Sequence, residues 1–281
     1  MSTSVPFQKM NGLGNEIVVV DLRGRPEGLG GALVRAAGRL PHFDQMMVLL
    51  NPETAGTDAY VRIYNVDGSE AGACGNGMRC VSWVVAERTG RKALRFETGA
   101  GVLEALVTDA GRIAIDMAAP RFGWKDIPLA RPFQDTKAVD LRMAQPDGPD
   151  LAFPSVVNVG NPHAVFWVED LSAYDLTSLG PRLERHALFP EGANISLAHV
   201  TSPRTIAVRT WERGAGLTRA CGSAACAAAV CAARRGVAQR LETVTLPGGP
   251  LEIDWRVDDR ILMTGPVQFE HEGVLDLVEA A

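Results

Sequence analysis

Hydrophobic and polar positions along the chain alternate in short blocks, and these blocks predict a mixed α and β protein. Four short runs are rich in β-branched and aromatic residues, which is typical of strands: "EIVVVD", "YVRIYN", "AVFWVED" and "IAVRTW". Apolar segments with helical spacing follow Cys74 and Cys221, and "GALVRAAGRL" also looks helical. Gly90 and Gly236 are suitable helix ends, so each cysteine is expected at the N-terminus of a buried helix.

The same order of motifs occurs twice, which indicates an internal duplication. When Cys74 is aligned with Cys221, "VRIYNVDGSEAGACGNG" falls on "VRTWERGAGLTRACGSA" without gaps, and Tyr64 matches Trp211. Three further segments pair with later ones: "GLGNEIVVVD" with "NVGNPHAVFWVED", "FDQMMVLL" with "GANISLAHV", and "GVLEALVTDAGRIAIDMAAP" with "GPLEIDWRVDDRILMTGPV". We therefore expect two similar domains.

Composition narrows the class of protein. The chain has 281 residues, 46% of them hydrophobic, which is enough for two domains of roughly 140 residues each. The net charge of −5 gives no reason to expect nucleic acid or an anionic membrane as partner. The longest small apolar run, "AACAAAVCAA", is about half the ~20 residues that a membrane span needs. The N-terminal sequence lacks the apolar core of a signal peptide, so we expect a cytoplasmic protein.

The cysteines favour neither a disulfide framework nor a metal site. An odd count without a secretion signal argues against structural disulfides, and the absence of Cys-x2-Cys pairs argues against zinc. Three cysteines lie within the apolar helical runs and are interpreted as small buried hydrophobes, namely Cys80, Cys226 and Cys231. A Schiff-base cofactor would have few candidate partners, because the chain has only four lysines: Lys9, Lys92, Lys125 and Lys137.

A cysteine at a helix N-terminus has chemical uses. The free N–H groups and partial positive charge there favour the thiolate, so the thiol is expected to lose its proton more readily than a free side chain. The backbone N–H groups of Gly75-Asn76 and of Gly222-Ser223 could also hold a carboxylate. Inversion of a carbon acid needs one group to remove a proton from one face and another to return a proton to the opposite face. The duplicated cysteine motif therefore predicts a two-base racemase or epimerase.

Several motifs together resemble the diaminopimelate epimerase family nearly end to end: "MNGLGNEIVVVD", "FDQ", "YNVDGSE", "CGNGMRC", "VGNPHAV", "ERGAG", "ACGSAACAA" and "LPGGPLEI". The resemblance implies an α+β fold of two pseudo-symmetric domains, each a β-barrel-like sheet wrapped around a central helix, with the active site in the interdomain cleft. It places residues 1–119 and 266–281 in the N-terminal domain and residues 120–265 in the C-terminal domain.

The resemblance also implies an activity and its partners. Members of the family interconvert LL- and meso-2,6-diaminopimelate in the biosynthesis of lysine and peptidoglycan precursors, with two cysteines and without pyridoxal phosphate or metal. The implied partners are the small-molecule substrate and a second copy of the chain in a homodimer.

Site residues carry over position by position. The resemblance makes Cys74 and Cys221 the base and acid, supported by His163 and Glu212. It assigns the following residues to substrate binding: Asn15, Gln45, Asn65, Gly75, Asn76, Asn161, Asn194, Glu212, Arg213, Gly222 and Ser223. The chain departs from the family pattern at Leu217, where the family usually has an acid, and in a shortened segment before Gln45.

Two alternatives remain at the level of sequence. A proline racemase-like enzyme would also use two cysteines, although proline has no distal charged end for the arginine and the asparagines to bind. A non-catalytic amino-acid-binding protein would need the arginine, but it would not need two loop cysteines.

Overall fold

The computed structural model describes residues 3–25, 33, 36–72, 74–108, 111–145 and 148–277. The chain divides into two compact units: unit 1 comprises Met1–Asp116 and Thr264–Ala281, and unit 2 comprises Met117–Met263. The helix predicted for "GALVRAAGRL" lies largely outside the described residues, which include a 3-10 turn at Ala37–Arg39. Within the described part of the chain, no helix has the length and apolar character needed to cross a membrane.

Unit 1 consists of β-strands and one long helix. Its elements in chain order are β1 (Thr3–Asn11), β2 (Glu16–Asp21), β3 (Gln45–Leu50), β4 (Ala59–Asn65), β5 (Glu70–Ala71), α1 (Gly75–Thr89), β6 (Ala93–Thr98), β7 (Gly101–Val107), β8 (Ile113–Asp116) and, after the chain returns from unit 2, β19 (Gln268–Leu277).

Unit 2 has the same kinds of element and a second helix. Its elements are β9 (Arg142–Met143), β10 (Leu151–Ala152), β11 (Ser155–Asn158), β12 (Pro162–Trp167), a 3-10 turn (Leu171–Ala173), α2 (Leu176–Glu184), β13 (Asn194–Ser202), β14 (Thr205–Glu212), β15 (Gly216–Thr218), α3 (Gly222–Arg235), β16 (Leu241–Leu246), β17 (Gly249–Trp255) and β18 (Ile261–Gly265).

Strand pairing follows one scheme in both units. In unit 1, β1 and β2 are antiparallel, β2 and β3 parallel, and β3 and β4 antiparallel. β4 then pairs with β5 antiparallel and with β6 parallel, and β6 pairs with β7 antiparallel. In unit 2, β11 to β17 repeat the same sequence of antiparallel and parallel pairings in the same order. The long helix follows the fifth strand of the scheme in each case.

The long helix is the centre of each unit. Helix α1 packs against β2, β3, β7 and β8, and α3 packs against β11–β14, β16 and β17. Most positions of α1 are buried, and so are ten of the fourteen residues of α3, many of them alanines that allow close strand approach. Both helices end at a glycine in the left-handed region, Gly90 (φ 70°) and Gly236 (φ 74°). The sheet-rich α+β fold predicted from the sequence is confirmed.

One acidic side chain in unit 2 is buried and has no hydrogen-bond partner in the described part of the chain. Glu242 on β16 is only 2% exposed, and neither carboxylate oxygen has a hydrogen-bond partner among the described residues. It pairs in register with Ile253 on β17, and the indole Nε1 of Trp255, two residues further on, is likewise buried without a described partner. Burial raises the pKa of Glu242 to about 8.

Candidate active site

Cys74 begins helix α1 as its N-cap. The Sγ atom accepts a hydrogen bond from the backbone N–H of Gly77 at 3.1 Å, and the Cys74 backbone is extended (φ −150°, ψ 99°), as an N-cap requires. Gly77 is packed so closely that an added Cβ would lie 2.5 Å from Met47 Sδ and 3.2 Å from Cys74 Sγ. The glycine therefore lets the helix start approach both β3 and the sulfur.

The loop between β1 and β2 brings Asn15 to this cysteine. Asn15 Oδ1 lies 4.0 Å from Cys74 Sγ, while Asn15 Nδ2 donates to Asp44 Oδ2 at 3.2 Å. The loop reaches this position through left-handed backbone at Leu13 (φ 65°) and Gly14 (φ 83°). Asp44 also accepts from the backbone N–H of Glu16 at 2.7 Å, so its carboxylate fixes the asparagine that faces the thiol.

Gln45 and Asn65 lie opposite each other on β3 and β4. Gln45 Nε2 donates to Asn65 Oδ1 at 3.2 Å, and Asn65 Nδ2 donates to Ser69 Oγ at 3.1 Å. Gly75 and Asn76, the other two predicted residues of this unit, are the first residues of α1, and Asn76 is buried. Gln45, which follows the shortened segment, is the first residue of β3 and lies in register with Ile17 and Asn65.

Cys221 is the N-cap of α3 in unit 2 and is 4% exposed. Its Sγ lies 3.4 Å from the Oγ of Ser223, and Gly222 and Ser223 are the first residues of the helix. Burial and the negative charge of Glu212 raise the pKa of Cys221 well above its ordinary value, despite the opposing hydrogen bonds from Ser223 and the Ala224 N–H. The prediction that a helix N-terminus makes the thiol more acidic is therefore wrong for Cys221, because burial and a neighbouring carboxylate outweigh it.

Glu212 is the last residue of β14 and faces both Thr218 and Cys221. Burial raises the pKa of Glu212, whereas the hydrogen bonds from Thr218 and Cys221 lower it by a smaller amount. Thr218 Oγ1 donates to Glu212 Oε1 across the β14–β15 pair, in which Glu212 is in register with Gly216. Leu217, the departure from the family pattern, is 45% exposed and leaves this contact intact.

His163 on β12 and Asn194 on β13 are buried, and the half-buried Asn161, just before β12, lies beside them. His163 is fully buried, and its Nε2 lies 2.7 Å from Asn161 Oδ1. Asn194, in register with His163, donates to the Pro162 carbonyl at 3.1 Å and accepts from the Arg213 backbone N–H at 2.9 Å. Burial, and secondarily the charge of Arg213, lowers the pKa of His163 to about 3. The imidazole is therefore neutral near pH 7, and an Nε2–H donated to Asn161 leaves Nδ1 as an acceptor with no partner among the described residues.

The Arg213 side chain is exposed at the turn that follows β14. Its Nη1 donates to the Glu191 carbonyl at 2.8 Å and to the Gly192 carbonyl at 3.5 Å, and among the described residues the guanidinium has no carboxylate partner. Nε and Nη2 therefore remain available for a bidentate pair with a carboxylate.

The structure groups the predicted residues by unit. Asn15 and Cys74 meet in unit 1, where Gln45 pairs with Asn65; in unit 2, Glu212 meets Cys221, and His163 lies with Asn161, Asn194 and Arg213. Sequence reasoning missed Asp44 and Thr218, which orient Asn15 and Glu212. Asp44 lies in the motif "FDQ", and Thr218 lies in the duplicated segment "VRTWERGAGLTRACGSA". The available signal for both was a polar residue close in sequence to a predicted site residue.

Comparisons with known proteins identify the family of the chain. The sequence profile described as "Diaminopimelate epimerase" matches residues 7–123 and 155–270. The chain is 56% identical to a diaminopimelate epimerase of Brucella anthropi over 279 residues, covering 98% of this chain and 93% of that one. It is 54% identical to a diaminopimelate epimerase of Brucella canis, covering 98% and 92%. Among solved structures, a hydroxyproline epimerase from Agrobacterium vitis shares the fold, with a TM-score of 0.70 at 14% identity over 98% of this chain and 93% of that one. The chain therefore belongs to the diaminopimelate epimerase family.

Proposed function

We propose that this chain interconverts LL- and meso-2,6-diaminopimelate by proton transfer at one α-carbon. The observation that carries the proposal is the repeated arrangement of a cysteine as N-cap of a central buried helix, once in each unit, at Cys74 and Cys221. Identity of 54% to 56% over 279 residues to relatives named diaminopimelate epimerase supports the same substrate.

Inversion of the α-carbon requires one group that removes a proton and another that supplies one from the opposite face. We assign these two steps to the sulfurs of Cys74 and Cys221. The α-carboxylate gains negative charge as the proton leaves. The backbone N–H groups of Gly75-Asn76 and Gly222-Ser223, at the positive ends of α1 and α3, are suited to stabilise it there.

The two thiols have different surroundings. Because burial and the neighbouring Glu212 raise the pKa of Cys221, we assign the proton-donating step to Cys221 and the proton-removing step to Cys74. In the reverse direction Cys221 must first lose its proton, and we assign the acceptance of that proton to the Glu212 carboxylate, which is hydrogen-bonded to the thiol. His163 is neutral, so we assign it the role of a hydrogen-bond acceptor through Nδ1 and not that of a proton donor.

Recognition of the second amino-acid centre is assigned to polar side chains. The free guanidinium edge of Arg213 suits the distal carboxylate. Amide side chains both donate and accept hydrogen bonds, as an ammonium and a carboxylate together require, and five of them are proposed to bind substrate: Asn15, Gln45, Asn65, Asn161 and Asn194.

The test is hydrogen exchange during turnover in deuterated water. Two acids on opposite faces deliver solvent deuterium to the inverted product, while substrate recovered at low conversion stays largely unlabelled. Cys74→Ser and Cys221→Ser should each abolish epimerisation, whereas Cys231→Ala, which changes a buried cysteine of α3 away from the helix start, should not. Mass spectrometry of both stereoisomers decides the matter, and product that retains its original α-hydrogen would contradict the two-base assignment.

A further inference from the structure

Helix α2 presents two residues, one turn apart, to the indole of Trp211. A Cβ built on Gly180 would lie 2.4 Å from Trp211 Cγ and Cδ2, so the ring lies directly on the helix where the side chain is absent. Glu184 is four residues later and therefore on the same helix face. Its Oε2 accepts a hydrogen bond from Trp211 Nε1 at 2.6 Å.

The same carboxylate reaches the other side of the turn. Glu184 Oε1 accepts from the backbone N–H of Gly214 at 3.3 Å, and the Glu184 carbonyl accepts from the Ala193 N–H at 3.3 Å. Trp211 and Gly214 flank the consecutive pair Glu212 and Arg213. One side chain thus holds the residue before this pair and the residue after it.

The two members of the pair depend on Glu184 to different extents. Glu212 is also fixed by strand pairing with Gly216 and by its hydrogen bond with Thr218. Arg213 lies beyond the end of β14 in an exposed turn, where its backbone N–H donates to Asn194 Oδ1 and its Nη1 donates to the Glu191 carbonyl. Loss of the Glu184 contacts should therefore displace the guanidinium more than the carboxylate of Glu212.

We propose that Glu184 is a positioning residue for substrate recognition, which sets the Arg213 guanidinium for the distal carboxylate by holding Trp211 and Gly214. The proposal rests on the proposed function. Unit 1 has a different arrangement: Tyr64, which matches Trp211 in the duplicated sequence, hydrogen-bonds to the guanidinium of Arg62. The contact of a glutamate carboxylate with the aromatic ring is thus described for unit 2, the unit that contains Arg213.

Steady-state kinetics with LL-diaminopimelate test the proposal. Glu184→Ala should raise KM about tenfold or more and change kcat by less than about threefold, because the hydrogen bonds to a charged acceptor that are lost, at Trp211 and Gly214, lie on either side of the binding arginine. Glu184→Gln should raise KM less, since its amide oxygen can still accept from Trp211 although its NH2 group cannot accept from Gly214. Glu191→Gln is the matched control: Glu191 is exposed, lies in the segment that Arg213 contacts, and has no described side-chain contact.

A second measurement does not require turnover. The Trp211 indole N–H should exchange slowly with solvent in the wild type and faster in Glu184→Ala, as followed by nuclear magnetic resonance. If the wild type fails to epimerise diaminopimelate, the proposed function is wrong. The exchange rates still test whether Glu184 holds Trp211. Folded Glu184→Ala with wild-type KM, or a fall in kcat with unchanged KM, would overturn the proposal. Should that variant not fold, Glu184→Gln and Trp211→Phe provide the same KM comparison.

Discussion

Replacing the buried Glu242 with glutamine should stabilise the protein in alkaline solution and leave it nearly unchanged in acid. The carboxyl is 2% exposed and has no described partner, and burial raises its pKa to about 8 from an ordinary 4.5. The folded state therefore binds this proton more tightly than the unfolded state between those two pKa values. Stability is accordingly lost as pH rises through this window, and the loss is complete above the folded pKa.

The magnitude follows from the same pair of values. At 1.36 kcal/mol per pH unit, the interval from 4.5 to about 8 corresponds to ~5 kcal/mol. Water penetration and relaxation around the ionised group reduce this penalty, and about half, ~2 kcal/mol, should remain. A neutral glutamine of the same shape avoids the penalty, so Glu242→Gln should exceed the wild type by ~2 kcal/mol at pH 8.5 and by less than about 0.5 kcal/mol at pH 5.

Urea unfolding at pH 5, 7 and 8.5, followed by tryptophan fluorescence, measures the free energy of unfolding directly. Glu87→Gln, the same change at an exposed position of α1, serves as the control and should show no pH-dependent difference from the wild type. The decisive quantity is how the difference in free energy of unfolding between Glu242→Gln and the wild type changes with pH. Any cost of burying the amide is the same at every pH and cancels in this comparison. A difference that is the same at pH 5 and pH 8.5 would refute the reasoning.

Three further predictions concern the site and one loop. Arg213→Ala should raise KM for diaminopimelate, at a cost of ~2–5 kcal/mol if the carboxylate pair is desolvated, and wild-type kinetics would contradict the assignment. Glu212→Gln should move the pH dependence of Cys221 alkylation by iodoacetamide to lower pH, because it removes the anion that helps to raise the pKa of this thiol; an unmoved profile would count against the contact. Hydrogen bonds from Thr57 and from the Thr54 backbone lower the pKa of Glu97 to about 2. Its contribution to stability should therefore be present above pH 4.5 and disappear as pH falls towards 2, and Glu97→Gln should remove this dependence in thermal unfolding scans.

Local sequence signals predicted the elements that carry the cysteines. Gly90 and Gly236 end α1 and α3 in the left-handed conformation expected of them, and Cys74 and Cys221 are the N-caps. Each helix start and each helix end depends on residues within one turn of that end. Such local patterns can be recognised in a single sequence.

Contacts between distant segments were not predictable in the same way. Nothing near Trp211 in the sequence indicates that Glu184, on a helix two elements earlier, accepts its indole N–H. The direction of the Cys221 pKa was wrong for a related reason: the helix terminus is visible in sequence, but burial and the position of Glu212 are properties of the folded chain. Tertiary packing decided both.

The unequal central helices make the two halves of this duplicated chain non-interchangeable. Helix α1 fills its sheet with Met78, Val81 and Val85 and with the buried guanidinium of Arg79, whereas α3 fills its own largely with alanine. A graft of α1 into unit 2 would overfill the interior, and a graft of α3 into unit 1 would leave cavities beneath the strands. The two duplicated halves thus have different interiors, and a recombination that exchanged their central helices is expected to destabilise the chain.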